Sequence, residues 1–166
     1  MREDVHNTGQ ILQWMAQSGS TLTFEETAYQ LTRIDLHGRS EHTLDGAPFE
    51  LEFQLVHEST AGDIVIVAVF ATGGAANEAF DVMGWGALPV TFGDFYSSFG
   101  DFYSDAAAFE LRALLLHGLV SEQRHGRYEG SMTTPPCTEG VRWVFSTDGC
   151  VGPLPQADSR LQYGGC

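Results

Sequence analysis

The stretch that most constrains this chain is Ile64-Val-Ile-Val-Ala-Val-Phe-Ala71, an unbroken apolar run dominated by β-branched side chains. Branching at Cβ costs rotamer freedom in a helix but packs well on a pleated surface. A strand that is apolar on both faces predicts a central position with cover on either side. Such a strand needs neighbours, and the sequence offers them. Phe49, Leu51, Phe53 and Leu55 alternate with Glu50, Glu52, Gln54 and Val56, and earlier Leu22/Phe24 and Ile34/Leu36 alternate against polar residues. A period of two predicts half-buried strands that pair with one another. The chain therefore reads as mostly β.

The connections read less uniformly. His37-Gly-Arg-Ser-Glu-His-Thr-Leu-Asp-Gly-Ala-Pro48 carries Gly and Asp-Gly punctuation and predicts a loop rather than a helix. Pro135-Pro136 predicts extended backbone. Residues 75–108 are small and weakly charged and hold a short duplication, Gly93-Asp-Phe-Tyr-Ser-Ser-Phe followed by Gly100-Asp-Phe-Tyr-Ser-Asp-Ala. Two glycine-containing copies do not make a coiled coil, which leaves a duplicated surface excursion or an interaction loop. In Ala106–Leu116, Phe109, Ala113 and Leu116 with Leu111 and Leu115 predict a short amphipathic helix.

With 166 residues, 43% of them apolar, the chain can bury one sizeable core and is short for two ordinary domains, so 1–166 is read as a single domain. Its net charge of −14, with eight Lys and Arg in all, would repel a phosphate backbone, so nucleic acid is excluded as a partner class. The acidity reads as a solvated surface, or as one that docks to a basic protein. No apolar stretch approaches the roughly 20 residues of a membrane span, so a soluble chain is expected, with peripheral association left open. The start, Met1-Arg-Glu-Asp-Val-His6, shows no secretory signal. Cys137, Cys150 and Cys166 match no zinc-binding spacing, and an odd number leaves at least one thiol free or paired with another chain.

Two segments carry a family resemblance: Ser40-Glu-His-Thr-Leu-Asp-Gly46 leading into Glu52-Phe-Gln-Leu-Val-His57, and Tyr128-Glu-Gly-Ser-Met-Thr-Thr-Pro-Pro-Cys137 leading into Val141-Arg-Trp143. Both resemble signature stretches of the α-class carbonic anhydrases. Their order and spacing also match, as do Asn7-Thr-Gly-Gln10 and Phe109–Leu116. The resemblance is strongest over residues 5–143 and thins in the tail, 144–166. It implies a central, twisted, mainly antiparallel sheet with short peripheral helices and a conical metal cavity, and CO2 hydration as the family activity.

The metal strands depart from that pattern. The family reads His-x-His and Glu-x-His, three imidazoles around zinc with one open position for water. Here the same places read Asp35-Leu-His37 and Glu52-Phe-Gln54, so only His37 keeps the ligand type. Glu52 stands where the family's carboxylate orients the third imidazole. Arg33 replaces a glutamine that hydrogen-bonds the first ligand. Residues two apart on a strand share a face, so Arg33, Asp35 and His37 project together, and Glu52 and Gln54 can project beside them. An amide is a poor zinc donor, and a carboxylate ligand would partly cancel the field that acidifies bound water. Three arrangements stay open: an ion pair of Arg33 with Asp35, reaching Glu52, in place of the metal; a metal held by Asp35, His37 and Gln54; or simply solvated polar residues.

Other family parts are partly kept. Thr133 matches the hydroxyl that orients zinc-bound hydroxide, Glu41 its carboxylate acceptor and Thr134 its pocket neighbour. Gln10 falls at the proton-shuttle histidine and does not titrate near pH 7. Val56, Ile66, Met132 and Trp143 match the apolar pocket wall, or simply pack in the core. His42 and His57 match family histidines beyond the metal and read as hydrogen-bonded structural residues. In disulfide-bearing members the cysteine matching Cys137 pairs with one in a leading segment, and Cys150 is the nearest candidate here. The resemblance and its departures imply a carbonic-anhydrase-like domain without turnover, with no bound cofactor, serving as a binding or structural subunit beside other protein subunits. A weak zinc-dependent carbonic anhydrase and a small-molecule binder in the vacated cone are the alternatives. The family and the cysteines favour an organelle lumen or secretory space.

Overall fold

Ile64–Ala71 lies at the heart of a nine-stranded sheet in the computed structural model, which describes residues 4–8, 10–16, 19–72, 95–96, 125–146 and 161–163. In chain order the strands are β1 (Asp4–Asn7), β2 (Leu12–Met15), β3 (Thr21–Phe24), β4 (Thr27–Gly38), β5 (His42–Leu44), β6 (Ala47–Pro48), β7 (Leu51–Ser59), β8 (Ile64–Ala71), β9 (Phe95–Tyr96), β10 (His125–Ser131), β11 (Glu139–Ser146) and β12 (Leu161–Tyr163). The large sheet runs β10-β11-β8-β7-β4-β2-β1-β9, with β3 beside the first half of β4. Its pairs are antiparallel except β11 with β8. This is the twisted, mainly antiparallel sheet expected. Among the described residues no helix is long and apolar enough to cross a membrane. The helix expected at Ala106–Leu116 and most of the excursion at 75–108 lie outside the described residues; within the latter, Phe95–Tyr96 pairs with Val5 and His6.

The centre of the sheet is dry for the reason the sequence gives. Val65 through Ala71 on β8 are buried, as are Glu52 through His57 on β7, so both faces of these strands are covered. Two connections differ from expectation. The stretch 37–48 holds a small hairpin, β5 with β6, which β12 extends to a three-stranded sheet. It turns on Asp45 and Gly46, with φ of 52° and 79°, the left-handed pair that a two-residue hairpin needs. Pro135-Pro136 does not extend the chain: its peptide bond is cis, and the two prolines sit in a turn across which Cys137 N–H donates to the Thr134 carbonyl at 3.0 Å. X–Pro bonds tolerate cis in tight turns, so the preference of the preceding residue for extended backbone does not decide the path.

The register builds one face of the sheet in rows. Trp143, Ile66, Val56 and Arg33 form one row across β11, β8, β7 and β4. Phe145, Ala68, Gln54, Asp35 and Gln13 form the next, reaching β2, and Phe70, Glu52 and His37 form the third. Each row is apolar at β8, and at β11 where it reaches that strand, and polar at β4. The apolar half packs with Phe49, Met132 and Val141 into one core cluster. The polar half is the candidate site.

Candidate functional site

On β4 and β2 the polar half begins as a closed ion pair. Asp35 is 1% exposed, and Arg33 Nε donates to both its carboxylate oxygens, at 2.9 and 3.1 Å. Gln13 Nε2, directly across on β2, donates to the same carboxylate at 2.9 Å. Burial pushes the Asp35 carboxyl above its ordinary value, and the Arg33 charge and the hydrogen bonds from Arg33 and Gln13 oppose that shift. Arg33 itself is 28% exposed at its side chain, so the pair spans from the buried row to the protein surface.

Glu52 is the second anchor. It is fully buried and accepts from the backbone N–H groups of Glu41 and His42 at 2.9 and 3.0 Å, from His42 Nδ1 at 2.7 Å and from Gln54 Nε2 at 3.0 Å. Burial alone would raise its pKa. The side-chain bond and charge of His42, with the further donors, outweigh burial and hold it below the ordinary carboxylate value. With Nδ1 of His42 donating to Glu52, Nε2 takes the Tyr128 hydroxyl at 2.7 Å. Gln54 extends this chain to Thr133, its Nε2 3.1 Å and its Oε1 3.3 Å from the hydroxyl oxygen.

His37 sits between these two networks. Its ring is 3% exposed, Nδ1 lies 3.2 Å from Glu41 Oε1, and Nε2 is buried with no hydrogen-bond partner among the described residues. Buried polar atoms are rarely left in this state.

The structure thus brings Arg33, Asp35, His37, Glu52, Gln54 and Thr133 onto one face, and corrects several details. Arg33 turns to Asp35 and not to Glu52, which is enclosed by its own donors. Thr133 pairs with Gln54, whereas Glu41 pairs with His37; the expected threonine–glutamate contact gives way because both partners have nearer ones. Thr134 contributes its carbonyl to the Cys137 turn, and Gln10 is exposed in the β1–β2 connection, where its N–H meets Thr8 Oγ1 at 3.4 Å. Val56, Ile66, Met132 and Trp143 are 0–5% exposed and belong to the core cluster. His57 is a structural residue, its Nδ1 donating to the Leu55 carbonyl at 2.8 Å. Cys137 is disulfide-bonded to a partner outside the described residues. Sequence reading missed Gln13 and Tyr128 as network members. Only a polar residue within an apolar strand, Leu12-Gln-Trp-Met15, hinted at the first.

Residues 2–150 match the profile of the eukaryotic-type carbonic anhydrases. The chain belongs to that family. A carbonic anhydrase from a Nostoc strain is 34% identical over 156 residues, covering 94% of this chain and 53% of its own length. Among solved structures, the α-carbonic anhydrase of Thermovibrio ammonificans, in complex with the inhibitor sulfanilamide, superposes with a TM-score of 0.72 at 26% identity, over 89% of this chain and 61% of that one. A dioscorin complexed with ascorbate superposes with a TM-score of 0.70 at 25% identity, over 93% and 61%. The chain spans about half the length of the curated relative it matches. The resemblance noted in the sequence implies a zinc held by three imidazoles. At the positions that the sequence resemblance assigns to those ligands, the chain presents one imidazole whose Nε2 has no partner among the described residues, one carboxylate held by Arg33 and Gln13, and one carboxamide engaged with Glu52 and Thr133.

Proposed function

We propose that this chain is a carbonic-anhydrase-like domain without CO2-hydration activity, which serves as a binding or structural subunit within a larger protein assembly. The observation that carries this reading is the occupation of Asp35 by Arg33 and Gln13. A zinc ion needs ligands with free lone pairs and leaves its bound water acidic only while its charge stays largely uncompensated. Of the three matching positions only His37 offers such a donor, so the residues present do not fit the family's zinc. The network of Glu52, His42, Gln54 and Thr133 engages the Gln54 carboxamide at both its nitrogen and its oxygen, which supports the same reading. The net charge of −14 suits a solvated surface and is also compatible with docking to a basic protein partner.

A second reading has support in His37 Nε2, which has no partner among the described residues, and in relatives named carbonic anhydrase. In it, Asp35, His37 and either Gln54 or Glu52 would hold a metal, and Thr133 would orient its water. Small-molecule binding in the cone, with Thr133, Thr134 and Gln10 as polar contacts, has a parallel in the dioscorin solved with ascorbate. Metal content by mass spectrometry and stopped-flow CO2 hydration on one sample separate the first two readings. Less than about a tenth of an equivalent of metal per chain, with no rate above background after zinc addition, is expected. Near-stoichiometric zinc with turnover would install the second reading.

A further inference from the structure

The positive charge that a metal would bring to this face is already present in the chain. Arg33, Asp35 and His37 are alternate residues of β4, so they share a face, and the guanidinium is bonded to the carboxylate of the middle one. His37 Nε2 remains buried and unpartnered among the described residues. A free imidazole nitrogen on the same face as a carboxylate is the beginning of a metal site, and here the carboxylate is spoken for.

We propose that Arg33 is the resident cation of this face, and that Arg33 itself, beyond the loss of imidazoles at 35 and 54, keeps divalent metal out. The inference rests on the metal-free reading above and adds a residue to it. A guanidinium is a cation fixed to the strand, so it cannot leave the face to admit a second one. A fixed charge several ångströms from a divalent ion, at the effective dielectric of a partly exposed site, weakens binding by roughly a hundredfold. The consequence concerns reversion. Replacing Asp35 by histidine removes the counterion of Arg33 and leaves an unpaired cation beside the rebuilt ligand set. Two restored histidines then do not suffice, because the third obstacle is the arginine two residues before the first of them.

The test compares four forms of the full chain: native, Arg33→Gln, the double variant Asp35→His/Gln54→His, and the triple variant that adds Arg33→Gln. Zinc affinity is measured by calorimetry against a competing chelator. Cobalt uptake is followed by visible absorption, which reports tetrahedral coordination without reference to activity. The triple variant is expected to bind zinc about a hundredfold more tightly than the double. Arg33→Gln alone, which frees the Asp35 carboxylate beside His37, is expected to gain at least about tenfold over the native chain. Equal affinities in the double and triple variants overturn the role of Arg33. If circular dichroism shows that either multiple variant fails to fold, the single variant decides, and no gain over native overturns the proposal. Stoichiometric zinc in the native chain would instead overturn the metal-free reading itself, so the two failures are distinct.

Discussion

Arg33 and Asp35 form one ion pair whose two ends live in different media. Asp35 is 1% exposed and Arg33 28%, so removing one partner is not equivalent to removing the other. Arg33→Met strands a carboxylate in the buried row, with Gln13 its one remaining side-chain donor among the described residues, and is expected to destabilise the domain by about 3 kcal/mol. Asp35→Asn leaves a guanidinium that can turn to water, and is expected to cost about 1 kcal/mol. Urea melts of the two variants at pH 7 check the asymmetry; equal losses would mean that the guanidinium is as trapped as the carboxylate. A second residue governs pH. Burial lowers the pKa of His57 below 6.5, against the pull of its bonds to the backbone at Leu55 and Val65. The folded form then keeps the ring neutral while the unfolded form takes a proton first. This contribution to stability is complete above pH 6.5 and is lost as pH falls from there through the folded pKa. Unfolding free energy is expected to decline as pH falls below about 6.5, by up to about 1.4 kcal/mol per pH unit for this one proton, and His57→Gln should flatten that part of the profile.

At the scale of the strand, close packing sets the limits. Gly126 on β10 faces Phe145 on β11, and a Cβ there would lie 2.0 Å from the ring's Cζ. The ring is buried in the core cluster and cannot step aside freely. Gly126→Ala is therefore expected to cost about 2 kcal/mol in a urea melt, although the same change in an open strand would be nearly neutral. Burial explains which elements were legible beforehand. Strands β7 and β8 announce themselves because one face or both meet the core and the sequence must alternate or run apolar. Strands β6 and β9, of two residues each, are too short to carry a period, and β10, His125-Gly-Arg-Tyr-Glu-Gly-Ser131, alternates exposed with half-buried residues and offers no apolar stripe. The site was legible where it depends on spacing within one strand, as with Arg33 and Asp35. It was not where partners lie far apart in sequence: Gln13 reaches Asp35 across 22 residues and Thr133 reaches Gln54 across 79. In such pairs the choice among several polar candidates is made by sheet register, which only the assembled fold fixes.

For the whole molecule, the decisive question is whether its stability is linked to a metal. A ligand that binds only the folded state adds RT ln(1 + [L]/Kd), so a nanomolar zinc site in about 10 μM free zinc would contribute about 5 kcal/mol. For a chain of this size that raises the melting temperature by more than about 10 °C, and a chelator would remove the gain. Here hydrogen bonds cross-link the sheet from both sides of the site. Gln13, Arg33 and Asp35 tie β2 to β4, while Glu52, His42, Gln54 and Thr133 tie β7 to the start of β5 and to the turn after β10. Calorimetric melts in excess chelator and in 10 μM zinc are therefore expected to agree within about 1 °C. A shift of several degrees would place a metal among the groups that hold the fold, and His37 Nε2, the one buried donor without a partner among the described residues, would be where to look for it.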